Sequence, residues 1–443
     1  VKRLVLAGAC VGLLLAPAPR CLALSLGDGL TIVERSGRDA ARAAAQEQVL
    51  LSAEVLAGAP RRPSIDAYAR ENLLAYQPAA LAGPTSIPLS ETESFSFGVR
   101  ARQMFYDFGR TEAGVRAAGL DVESGRLETA LTRNRAALQF IQTYVRLLRA
   151  DSLVALMRQE VARFEAHRDD TRVLLEAGTI TEDDLLQAEV RLADAVQRRL
   201  QAENFRALVA ARVNSLLTRP LSDPVEPEEL PAAPAGPAPA RLEDAVALAM
   251  QQRVELAQVR ARIAATEARR ENARGEALPQ LFVAGGYDYT QNDFQEHEGN
   301  WSVAAGVDVK LWSGGVITEK VRQRERELTV LARVRDQVQD DVQLDVQDAF
   351  LALQTARSRV GATATAVGQA KENLRLQQLR FTEGVGTATD VLDAVSLATT
   401  AGRNDLDARY DVIDALARLD FAVGRDLVPA WGGTRTAGGE GRP

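Results

Sequence analysis

Residues 380–394, RFTEGVGTATDVLDA, decide how this 443-residue chain is read. Gly384 follows a long proline-free stretch, and Thr387 opens a new one with an aspartate three residues later. That is the pattern of a tight turn between two helices, with Thr387 as the cap of the second. The same pattern occurs earlier as GTITEDDLLQA, Gly178–Ala188. Both read G-x-x-T-x-x-D-[LV]-L-x-A, and they lie 206 residues apart. A second landmark repeats at the same offset: FYDFG at Phe105–Gly109 and LWSGG at Leu311–Gly315. Two landmarks at one spacing mean two copies of one structural unit.

Between the landmarks each copy carries a long stretch without proline, Gly109–Ala177 and Gly315–Thr382. As helices these would each span roughly 100 Å. In the second, apolar residues recur by threes and fours: Leu328, Leu331, Val334, Val338, Val342, Val346, Ala349, Leu353, Ala356, Val360, Ala364 and Val367. The average step is close to the coiled-coil period. A shorter helix returns after each turn, Asp183–Leu217 and Asp390–Gly424, and another precedes each landmark, Asp28–Ala59 and Arg241–Ala277. Stacked end to end, a return helix and a leading helix would match one long helix. Each chain then supplies two continuous and two composite struts to a cylinder.

A strand pair lies between the leading and the long helix. In the second copy Leu281, Val283, Gly285, Tyr287 and Tyr289 alternate with Phe282, Ala284, Gly286, Asp288 and Thr290. Beyond a polar loop, Trp301, Val303, Ala305, Val307 and Val309 alternate with small or polar residues. In the first copy Phe95, Phe97, Val99 and Ala101 alternate with Ser94, Ser96, Gly98, Arg100 and Arg102; the partner segment, about Ser64–Tyr76, alternates less cleanly. Such strands suit lipid on one side and water on the other, with Trp301, Tyr287 and Tyr289 as candidates for an interfacial girdle. A soluble hairpin with one face on a core has the same signature, but paired helix-flanked hairpins of membrane-crossing length favour the barrel.

The ends and the middle differ in composition. Lys2 and Arg3, the uncharged run Leu4–Ala16 and small residues up to Ala23 read as a secretory signal, residues 1–23. Cys10 and Cys21 fall inside it, so the remainder is free of cysteine, and Arg20 spoils a lipid-attachment box at Cys21. The expected organisation is a first repeat over 24–218, a stiff connector over 219–240 with seven prolines, a second repeat over 241–427 and a disordered Gly-rich tail over 428–443. No apolar run beyond the signal reaches helix-spanning length. A net charge of −7 with no basic aromatic stripe argues against nucleic acid. The two histidines, His167 and His297, are read as ordinary exposed residues, and no metal-ligand cluster, phosphate loop or Ser-His-Asp spacing is present. No cofactor and no enzymatic activity are expected.

The tandem repeat, the inserted strand pairs, the [FL]-x-x-x-G motif and above all the turn at 380–394 resemble the TolC family of outer-membrane efflux proteins. The resemblance implies a mainly α fold with a small β part. Long antiparallel coiled-coil helices form an α-barrel, and four strands per chain contribute to a trimeric 12-stranded transmembrane β-barrel. Four strands cannot close alone, which agrees with a homotrimer. The family implies an outer-membrane location with a large periplasmic portion, contact with outer-membrane lipid, and a passive exit channel. Its partners are a periplasmic adaptor and an inner-membrane pump or ABC exporter, in efflux or type I secretion.

By the same resemblance, Gly178, Thr181, Leu185, Leu186 and Ala188 in the first turn, and Gly384, Thr387, Val391, Leu392 and Ala394 in the second, are candidates for adaptor contact. Asp184, Phe381, Asp390 and Asp393 are candidates for the gate and pore, with Asp393 in a cation-attracting ring. Phe381 stands where family members carry a gate tyrosine, and Gly386 where some carry an arginine, so closure here uses other contacts. A periplasmic adaptor or coiled-coil scaffold is the alternative. It predicts no lipid-facing strands, and a channel would need detergent to leave the membrane.

Overall fold

The computed structural model describes residues 23–230 and 238–432. Most of the expected signal and part of the connector and tail therefore lie outside the described residues. The first repeat contains α1 (Leu26–Ser36), α2 (Arg38–Ala57), β1 (Ser64–Leu73), β2 (Ala79–Ala82), β3 (Thr85–Pro88), β4 (Glu93–Tyr106), α3 (Arg110–Glu176) and α4 (Glu182–Leu216). The second contains α5 (Leu242–Gln252), α6 (Val254–Gly275), β5 (Gln280–Thr290), β6 (Gly299–Asp308), α7 (Val316–Thr382) and α8 (Ala388–Ala422), followed by α9 (Leu427–Trp431). α3 and α7 are each 67 residues and α4 and α8 each 35, so the repetition legible in sequence is also one of length.

The leading helices are where expectation fails. Each is broken in two, at Gly37 and at Arg253, where the backbone turns extended. The breaks receive the ends of the return helices. Thr218, just past α4, has its hydroxyl 3.4 Å from the Ser36 carbonyl. At α8 the approach is closer: a Cβ on Gly424 would lie 2.8 Å from the Gln252 carbonyl carbon. Only a glycine admits that contact, and its φ of +86° is one that other residues rarely adopt. End-to-end stacking thus involves α2 and α6, while α1 and α5 pack separately against α3 and α7.

α3 packs on α2 and α4 on one side and on α6 and α8 on the other; α7 packs on α6 and α8. The chain is therefore a curtain of four struts in the order α2/α4, α3, α6/α8, α7. The apolar stripe of α7 faces its neighbours as expected, with Val342, Val346, Ala349, Leu353 and Ala356 buried. The outer struts keep uncovered apolar residues: Leu186, Val190, Leu200, Phe205 and Leu208 on α4, and Val330, Leu344, Leu351, Leu376 and Leu379 on α7.

The four long strands form one antiparallel sheet in the order β1-β4-β5-β6. Register puts Ile65, Phe97, Val99, Tyr287, Trp301 and Val303 on one face and Tyr68, Arg100, Arg102, Asp288 and Asp308 on the other. The apolar face is uncovered: Trp301 is 78% and Val303 86% exposed. Its rings group together, Phe97 stacking on Tyr289 and Tyr287 lying 5.0 Å from Trp301. The polar face is self-paired. Asp288 accepts from the Tyr68 hydroxyl at 2.6 Å and from Arg100 at 3.0 Å, while Arg102 reaches Asp308 across β5. The first strand is shorter than expected, ending at Leu73, and the small β2–β3 hairpin beyond it was not anticipated.

The connector is no free spacer where it is described. Leu24 pairs with Glu226 and Glu228, and the Tyr144 hydroxyl lies 2.7 Å from the Leu24 carbonyl and 2.8 Å from that of Glu228. Burial pushes the Tyr144 phenol up to about 12. The first residues of the expected tail are helical, in α9. Leu427 and Trp431 are buried in the same cluster as Phe140 and Tyr144, with the Trp431 ring N–H donating to buried Asp420 at 3.0 Å.

Candidate functional site

The two turns picked out in sequence come together at one end of the curtain. Both helices before them end in a left-handed glycine, Gly178 at φ +71° and Gly384 at φ +72°. Thr179 N–H returns to Leu174 O and Val385 N–H to Arg380 O, the six-residue closure of a Schellman turn. The next helix starts on a capping box in both copies. Thr181 and Thr387 each give a backbone N–H, at 3.1 Å, and a hydroxyl, at 2.8 Å, to the aspartate three residues on, Asp184 or Asp390. The Asp390 N–H returns to the Thr387 hydroxyl at 3.2 Å. These bonds, first that from the Thr387 hydroxyl, hold the Asp390 carboxyl below its ordinary value, and Arg380 adds to the effect.

The tips touch each other through α4 and α8. The Thr389 hydroxyl lies 3.4 Å from Gln187 Oε1, and Arg191 approaches Asp393 at 3.7 Å. Asp390 and Asp393 are one turn apart and both exposed. Gly178, Thr181, Leu186, Gly384 and Thr387 are also exposed, and Asp184 and Leu185 half-buried.

Five candidates are not at the surface. Ala188, Phe381, Val391, Leu392 and Ala394 lie within one buried cluster with Val161, Phe164, Leu374 and Val395. In this arrangement they pack the α7–α8 hairpin against α3 and α4, so the side chains of Ala188, Val391, Leu392 and Ala394, expected at the surface, are buried. A charge at Leu392 would disrupt this core rather than an external contact. Phe381 likewise points inward, with 5% exposure, against the ring of His167. His167 is the second correction: it is buried, not exposed, whereas His297 is exposed in the β5–β6 loop.

Sequence reasoning passed over the apolar residues that are exposed at this end, Val173, Val190, Val385 and Leu397. Val385 was findable, as an apolar residue between two glycines at the apex of a turn. Among the described residues no helix is long and apolar enough to cross a membrane, and no cluster of His, Cys, Asp and Glu is placed to hold a metal.

Comparison with known proteins gives the context. Residues 245–425 match the family profile described as outer membrane efflux protein. The outer membrane efflux protein BepC of Brucella suis is 24% identical over 367 residues, covering 79% of this chain and 78% of that protein. The outer membrane protein TolC of Vibrio cholerae is 24% identical over 304 residues, 67% of this chain and 69% of the relative. The alkaline protease secretion protein AprF of Pseudomonas aeruginosa is 22% identical over 346 residues, 75% and 70%. Among solved structures, the outer membrane protein VceC of Vibrio cholerae superposes with a TM-score of 0.76 at 16% identity, over 91% of this chain and 96% of that one. That likeness shows the fold.

Proposed function

We propose that this chain, an outer membrane protein of the TolC-like efflux family, assembles head to tail into a trimer that forms a passive exit channel. The observation that carries this is the matching of its open edges. The sheet is unpaired at β1 and β6, and the helical curtain is open at α2/α4 and α7. β1 follows α2 and β6 precedes α7, so each open strand lies on the same side as an open strut. One edge of a copy therefore meets the opposite edge of the next. Such a heterologous contact closes into a ring when the rotation allows. Three copies supply twelve strands, of 10 to 14 residues each in this chain, a length that crosses an outer membrane when tilted.

In that ring the face bearing Trp301 and Val303 meets lipid, and the face bearing Arg100 and Asp288 lines the water-filled lumen. The helical part extends into the periplasm. The exposed tip residues Gly178, Thr181, Leu186, Gly384 and Thr387 receive the hairpins of a periplasmic adaptor, and an inner-membrane pump or ABC exporter supplies the energy. Efflux and secretion are both within this reading.

The test is the mass of the detergent-solubilised protein by light scattering. A trimer is expected, and Leu351→Glu on α7 or Phe205→Asp on α4 should shift it towards monomer by placing a charge in the closed seam. A wild-type monomer with its apolar face merely coated by detergent would overturn the reading.

A further inference from the structure

His167 is the one described histidine inside a core. It is 4% exposed and stands on α3 among the tip cluster, one turn from Phe164. Its ring centroid is 5.1 Å from that of Phe381, with the planes at 57°. The Ala388 backbone lies beside it and favours the protonated ring, and Nε2 has no hydrogen-bond partner. Phe381 precedes the α7–α8 turn and Ala388 follows it. A single α3 side chain thus stands beside both arms of that hairpin, against a cluster of aliphatic and phenyl groups.

We propose that His167 is a proton-operated latch: the neutral imidazole holds the α7–α8 turn against α3, and protonation releases it. Charging the ring in place would leave a second N–H without an acceptor in an apolar pocket. Burial accordingly pushes His167 below its ordinary value of 6.5, against a weaker pull upward from Asp170 and Ala388. The remaining charges near the site are engaged elsewhere. On α4, Glu189 is 3.6 Å from Arg172 of α3. On α3, Arg168 holds Asp169. At the hairpin, Arg380 acts on Asp390. Asp170, one turn along α3, is the carboxylate that favours an imidazolium, and burial outweighs its pull.

The sign follows from proton uptake. Released into water the imidazole titrates near its ordinary value; packed, it titrates lower. Packing is therefore favoured fully above pH 6.5 and progressively less as pH falls below it, until the packed form also protonates. At pH 5.5 the released-to-packed ratio rises by up to about tenfold. The latch needs nothing beyond one chain, so its fate is separate from that of the channel reading.

Spin labels at exposed Glu176→Cys and Glu383→Cys, in a chain with Cys10→Ser and Cys21→Ser, report the separation of α3 from the α7–α8 turn. The full chain is used in detergent, mixed with excess unlabelled chain so that only intrachain pairs are read. With His167 present, a longer-distance population should grow up to about tenfold, relative to the packed one, between pH 8 and 5.5. In His167→Phe, and in His167→Leu should the larger ring disturb folding, the pH 8 distribution should persist at both values. An unchanged distribution in the native sequence, or the same change in both variants, overturns the latch.

Discussion

Arg253 lies across the junction between two helices, with a guanidinium N–H 3.3 Å from the Ala422 carbonyl at the end of α8. The same side chain, buried at the break between α5 and α6, pairs with Glu255 at 2.9 Å and Asp345 at 3.1 Å. One cation thus ties α8 to α6 and both to α7. Arg253→Leu removes the donor and leaves Glu255, largely enclosed, with Arg135 at 3.8 Å as its remaining cation, which should destabilise the fold by about 1–3 kcal/mol. Thermal melting in detergent reads this. Arg253→Leu with Glu255→Leu should recover part of the loss; equal melting of single and double variants would mean the carboxylate is not stranded.

Gly384 ends α7 at φ +72°, and a Cβ there meets nothing within 4 Å. The cost of a side chain is therefore conformational, not steric. Gly384→Ala should lose about 1–2 kcal/mol in thermal stability, and Gly384→Asn less, because asparagine tolerates the left-handed region. Equal losses for both would place the effect elsewhere.

Thr387 and Asp390 cap α8 in both directions. The Asp390 carboxyl titrates below its ordinary 3.8 because it accepts from the Thr387 hydroxyl and backbone. Its contribution is present above pH 3.8 and is lost as pH falls through the lowered value. Amide exchange in the first turn of α8 should stay slow at pH 5 and speed up, beyond the intrinsic pH trend, below the lowered value. Thr387→Ala should cost about 1 kcal/mol at pH 7 and remove the acid step. An acid step of full size in Thr387→Ala would reject the box as its source.

The sequence exposed what is periodic or local. The capping boxes, the strand alternation and the α7 stripe depend on residues near one another along the chain, and the 206-residue offset on such local patterns recurring. Long-range packing was hidden. Nothing about Arg253 marks a helix break, since arginine is a good helix former; the break exists because the end of α8 arrives there. His167 stands among Arg, Glu and Asp and reads as solvated, yet its partner Phe381 comes from the other repeat. Val391, Leu392 and Ala394 were legible as motif residues, but their burial depends on α3 and α4 lying over them. Val428–Trp431 resembled a tail because only the fold supplies buried Asp420 as the acceptor of the Trp431 ring N–H.

In the proposed channel, Asp393 and Arg191 are the charged pair that would set how the tip meets ions. They are 3.7 Å apart and both substantially exposed, so the pair is only weakly coupled and the carboxylate stays accessible. In a threefold ring with this face inward, three Asp393 carboxylates would surround the constriction. Even at the dielectric constant of water, three charges about 10 Å from the axis enrich cations there roughly fivefold to tenfold. The three Arg191 side chains oppose this. Asp393→Asn should therefore lower cation preference in planar bilayers, and Arg191→Ala should raise it, neither changing the oligomeric mass. The measurement is the reversal potential in a salt gradient, repeated at high salt, where both effects should shrink. If Asp393 instead decorates an outer face, neither substitution moves the reversal potential. Opposite shifts from two residues in contact would be hard to obtain from anything but a shared position on the ion path.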